Sequence, residues 1–99
     1  MRLTPEQAST IKQHANKLFG TAAEVRLFGS RVRDDARGGD IDLLVSVTQP
    51  VERPALLMAK LVGSLQMALG DQRIDVLLEA PNLMQQPIHR IAREEGVLL

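Results

Sequence analysis

Three aspartates occupy positions from which an extended backbone would let them act together. Asp40 and Asp42 open the run Asp40-Ile41-Asp42-Leu43-Leu44-Val45-Ser46-Val47, and Asp75 lies inside Arg73-Ile74-Asp75-Val76-Leu77-Leu78. Residues two apart on a strand share a face and are separated by roughly 6.5 to 7 Å. Asp40 and Asp42 are therefore predicted on one face, with Ile41, Leu43, Val45 and Val47 on the other. Asp75 has Ile74 and Val76 on the face opposite its own. If its strand neighbours the first, about 4.8 Å away, three carboxylates meet on one patch. Such a cluster repels itself, and hard, oxygen-seeking cations such as Mg²⁺ or Mn²⁺ are its usual neutralisers. Two ions about 3.5 to 4 Å apart are a recurrent device for in-line displacement at phosphorus. In that chemistry Asp40 and Asp42 would bridge or chelate both ions, and Asp75 would bind the one nearer the attacking hydroxyl.

Gly29-Ser30 offers the other half of a phosphate site. A turn without a β-carbon lets phosphate approach the backbone, and Ser30 could donate its hydroxyl where a following helix presents free N–H groups. Arg31, Arg33 and Arg37 follow at once and could neutralise further phosphate charge, Arg31 being the nearest. Singly, each feature has a plainer reading: a Gly-Ser turn is mostly structural, and a strand aspartate is commonly an exposed edge residue. The specificity lies in their order and spacing.

The elements that must position these residues are legible in the pattern. Thr4, Pro5 and Gln7 read as N-cap, first helical residue and capping-box partner, with Leu3 stapling against Ala8. Ile11, Ala15, Leu18 and Phe19 follow at helical spacing, and Gly20 ends the helix. Glu24 to Phe28 reads as a strand, Gly29-Ser30 as a tight turn, and Arg31 to Arg37 as a short helix. Gly38-Gly39 precedes the Asp40–Val47 strand. Past Pro50 and Pro54, residues 55–69 form a helix whose apolar stripe is wider than one buried face requires, which suggests either a second contact, such as another chain, or a helix sunk in the core. Gly70-Asp71 turns into the Arg73–Leu78 strand. A short helix from Ile88 to Glu95, with Ile88, Ile91 and Ala92 inward, stops at Gly96, and Val97-Leu98-Leu99 can add an edge strand. His14 on a polar helix face and His89 on the last helix suit solvated or capping roles.

Ninety-nine residues make one domain, 1–99, comprising an N-terminal helix at about 4–19 and a core at about 24–99. With 44% apolar and 24% charged residues the chain reads as globular. Its apolar runs are too short to cross a bilayer. Without cysteine it forms neither disulfides nor thiolate metal sites, and with no secretory h-region at Met1–Pro5 a cytoplasmic location is expected. Twelve basic residues balance twelve acidic ones, and the two aromatics are Phe19 and Phe28. Neither the charge nor the stacking platforms of a long nucleic-acid binder are present. A small anion such as a nucleotide needs only local positive charge.

The run Phe28-Gly29-Ser30-Arg31-Val32-Arg33, followed by Gly39-Asp40-Ile41-Asp42-Leu43-Leu44-Val45, resembles the signature of the DNA polymerase β-like nucleotidyltransferase superfamily. With its length, its Arg73-Ile74-Asp75-Val76 strand and its Glu95-Gly96-Val97-Leu98 ending, the chain is similar to the minimal nucleotidyltransferase (MNT) branch over nearly everything after about residue 20. The resemblance implies an α/β (α+β) fold, a small mixed sheet packed by helices. It also implies that Gly29 and Ser30 bind the nucleotide triphosphate, that Asp40 and Asp42 hold two Mg²⁺ ions, and that Asp75 is the third metal ligand and catalytic position. Many MNT proteins are antitoxins of a toxin-antitoxin system, paired with an all-helical HEPT-domain toxin that some of them inactivate by transferring AMP from ATP to a tyrosine. On that reading helix 55–69 is the docking face of a hetero-oligomer. The alternatives are an antitoxin that neutralises its partner by binding alone and nucleotidyl transfer to an RNA end. Two departures from the pattern are the Gly-Gly before Asp40, where a serine is frequent, and an N-terminal helix with no assignable motif.

Overall fold

Thr4 sets the first helix: its Oγ1 accepts from the Gln7 N–H at 3.1 Å while Gln7 Oε1 accepts from the Thr4 N–H at 3.0 Å. This is the reciprocal box that Thr-x-x-Gln ahead of a helical run specifies. The computed structural model describes residues 3–32, 40–70 and 72–99, the side chains of Ser30 and Arg31 excepted. In it α1 spans Pro5–Phe19 and stops at Gly20, whose φ of 101° suits glycine and whose N–H donates to the Asn16 carbonyl. Then come β1 (Glu24–Phe28), a 3₁₀ turn (Gly29–Val32), β2 (Ile41–Ser46), α2 (Pro54–Leu69), β3 (Ile74–Glu79), α3 (Pro87–Glu95) and β4 (Val97–Leu98). Asp40 lies one residue ahead of β2 rather than inside it. Of the short basic helix expected over 31–37, the described part is the end of that 3₁₀ turn; residues 33–39, including Arg33 and Arg37, lie outside the described residues.

The four strands form one mixed sheet in the order β3-β2-β1-β4. Its β1 is antiparallel to both β2 and β4, and β2 is parallel to β3. A parallel pair needs a long crossover, and α2 supplies it. Val25, Leu27, Ile41, Leu43, Val45, Ile74 and Leu78 share one face and make the core with Ile11 and Ala15 of α1 and Leu61 and Leu65 of α2. The opposite face is covered in part by α3, which packs on β1 and β2 and buries Ala92 on the side where Leu44 is fully buried. This is the α+β fold, a small mixed sheet packed by helices, that the resemblance implies.

Two local readings are corrected. On α3, Ile88 and Ile91 are exposed, and His89 and Ala92 face inward. The cause is His89, whose Nδ1 accepts from the Gln86 N–H at 3.1 Å, leaving Nε2–H to donate to the Leu78 carbonyl at 3.1 Å. That capping role fixes the rotation of a nine-residue helix. His14 is half-buried rather than freely solvated: its Nδ1 lies 3.1 Å from Ser64 Oγ, which itself donates to the Leu61 carbonyl, so the imidazole ties α1 to α2. No helix among the described residues is long and apolar enough to cross a membrane.

Candidate active site

The face of the sheet that carries α3 is polar at both ends of β3, and the two ends differ. At the C-terminal end, Glu79 is matched by donors: Ser46 Oγ at 3.1 Å, Gln85 Nε2 at 3.1 Å, and an ion pair with Arg93. At the N-terminal end, Asp42 and Asp75 are direct register partners on parallel neighbouring strands, and Asp40 immediately precedes β2. Period-two phasing put these carboxylates on a common face, and the adjacency of β2 and β3 brings them side by side.

Asp42 is the most enclosed of the three. It pairs in register with Phe28, the last residue of β1, so the turn at Gly29 folds directly over it. Gly29 has φ 78°, a left-handed conformation, and a β-carbon there would fall on Asp42 Oδ2. Glycine is thus needed at 29 to admit the carboxylate. The reason found from sequence, close approach of a phosphate to the backbone, concerns the same absence of a side chain from its other side.

Burial pushes the Asp42 carboxyl above its ordinary value, and the negative charges of Asp75 and Asp40 push it further; Arg73 opposes them, and a side-chain hydrogen bond with Asp75 adds to the rise. Asp40 and Asp75 are more open, with side chains 42% and 50% exposed. Between these two sits a residue that the sequence reading passed over as a strand opener. Arg73 Nε lies 3.5 Å from Asp40 Oδ2 and 3.6 Å from Asp75 Oδ2. The available signal was phase: residues 73 and 75 share a face, as 40 and 42 do.

The donor set suits a hard divalent cation in kind. It is made of carboxylate oxygens, the charges of Asp75 and Asp40 add to the rise at Asp42, and a glycine cradle keeps that residue in place. In the arrangement described, the carboxylates are spread around the Arg73 guanidinium, and no three acidic or imidazole side chains among the described residues converge on one point. Of the expected phosphate contacts, Gly29 is described in full. The side chains of Ser30 and Arg31, and all of Arg33, lie outside the described residues.

The model of a family described as "Nucleotidyltransferase domain" matches residues 8–96. That span takes in Gly29, the three aspartates and Arg73. No curated protein matches the chain.

Proposed function

Because the chain belongs to the nucleotidyltransferase domain family, we propose that it transfers AMP from ATP to a hydroxyl, a tyrosine of a small helical HEPT-type toxin, and so acts as its antitoxin. Nucleotidyl transfer is the activity that family membership supports. The observation that supports such transfer at this site is the registered pair Asp42–Asp75 under the Gly29 turn, with Asp40 adjacent, while the toxin acceptor rests on the resemblance to the MNT branch. Asp40, Asp42 and Asp75 would hold Mg²⁺. Bound there, the metal would supply Lewis-acid neutralisation of the triphosphate and lower the proton affinity of the attacking hydroxyl.

The protein's own part is binding, orientation and proton removal. Gly29 and the backbone of the Gly29–Val32 turn would receive the triphosphate, with Ser30, Arg31 and Arg33 beside it. Asp75 lies on β3, an edge of the sheet, where an acceptor can approach. In the transfer step the acceptor oxygen bonds to the α-phosphorus, the bond from that phosphorus to the bridging oxygen breaks, and pyrophosphate departs. The hydroxyl proton passes to the Asp75 carboxylate.

The outer side of α2 suits the docking of such a partner. Leu61 and Leu65 are spent on the core, yet Leu56 is 44% exposed and Met67 91%, on a helix whose only charged residue is Lys60. The decisive experiment incubates the protein with α-labelled ATP, Mg²⁺ and the candidate toxin. The toxin should become labelled, and Asp42→Asn should slow labelling by on the order of 10³-fold or more. Undiminished labelling by Asp42→Asn would remove the assigned role. Neutralisation of the toxin by an Asp40→Asn, Asp42→Asn double variant would instead favour an antitoxin that acts by binding through α2.

A further inference from the structure

Arg73 stands where the carboxylates most need a cation. Its Nε is 3.5 Å from Asp40 Oδ2 and 3.6 Å from Asp75 Oδ2, longer than the about 2.7–2.9 Å of a charge-assisted hydrogen bond. Charge rather than directional bonding holds it there. The side chain is 74% exposed, while its own backbone is fixed, the Arg73 carbonyl accepting from the Ile41 N–H at 3.0 Å. A guanidinium on a fixed root, unpacked and loosely paired, can leave without disturbing the sheet.

We propose that Arg73 is a resident counterion that competes with divalent cations for Asp40 and Asp75, setting the metal affinity of the site below what the three carboxylates alone would give. Metal-free, it offsets the repulsion around Asp42. On loading, two exposed ion pairs must be given up, and the free energy of breaking them is subtracted from that of binding. Arg73 acts through the carboxylates and is a positioning residue, and the inference rests on the metal reading given above.

Calorimetric titration of Mn²⁺ into the nucleotide-free protein separates the two ideas. Arg73→Ala and Arg73→Gln should each bind Mn²⁺ roughly tenfold more tightly than the wild type, equivalent to about 1.4 kcal/mol. Both variants are needed, because a glutamine oxygen could itself ligate the ion. A gain confined to Arg73→Gln would overturn the proposal, as would equal or weaker binding by both, with the metal reading left intact. Absence of Mn²⁺ binding in all three proteins would overturn the metal reading and the proposal together. The high exposure of the side chain makes misfolding of the variants an unexpected outcome, and the free Tm measured alongside should fall, since the carboxylates lose their counterion.

Discussion

At the scale of single residues, Asp42 sets a conflict between charge and stability. Folding buries it beside Asp75 and Asp40, so its carboxyl binds a proton more tightly folded than unfolded. Between the ordinary value of 3.8 and the raised folded value, the native state therefore holds more protons than the unfolded chain. Stability must fall as pH rises through that window, and at neutral pH the full cost remains. Asp42→Asn removes the charge, and its amide can still donate to Asp75. In the presence of a chelator its Tm at pH 7 should exceed that of the wild type by a few degrees, and the two should converge as pH falls well below 3.8, where Asp42 is protonated in both states. A lower Tm for the variant at pH 7 would show that the charge is compensated in the metal-free protein. Asp40 and Asp42 were legible from periodicity, while Asp75 needed the adjacency of β3 to β2, which no single strand encodes. The fit of Gly29 over Asp42 depends on a cross-strand register, and so it too was invisible in the sequence.

At the scale of elements, the boundaries were legible wherever a cap, a proline or a glycine punctuates the chain, and α1 is the clearest case. Rotation about a helix axis was not always so. On α3 the spacing of Ile88, Ile91 and Ala92 describes a plausible apolar face, yet the helix turns His89 inward, because two polar bonds outweigh the burial of exposed isoleucines on a helix of only nine residues. Hydropathy assigns imidazole to the surface and cannot anticipate a carbonyl waiting on β3. His89→Ala should lose both bonds and leave the Gln86 N–H and Leu78 carbonyl without that partner, at a cost of about 2–3 kcal/mol in urea denaturation. Its Mn²⁺ affinity should be unchanged, since Leu78 lies toward the opposite end of β3 from Asp75. A destabilisation below about 0.5 kcal/mol would mean that α3 is held by Ala92 and Leu44 alone.

For the whole molecule, the sheet divides the work between its faces. One face is sealed by α1 and α2 and supplies nearly all of the apolar core; the other is half covered by α3 and leaves its remaining end to the aspartates. This division was implicit in the strand pattern, where Ile41, Leu43 and Val45 alternate with Asp42 and Leu44. What the pattern withheld was that Leu44 is buried too, under a helix from the far end of the chain. If the faces are energetically separate, changes on them should add. Leu61 is fully buried on the helical side, and its truncation to alanine should cost about 2–5 kcal/mol through lost burial and a cavity. Asp42→Asn, on the other face, should raise stability. With no shared side-chain partner among the described residues, the double variant should match the sum of the two within about 0.5 kcal/mol by denaturant unfolding. A coupling above about 1 kcal/mol would mean that the strand passes the rearrangement around residue 61 on to the carboxylates. The small domain would then lack an independent site face, and any partner docked on α2 would change the geometry around Asp42.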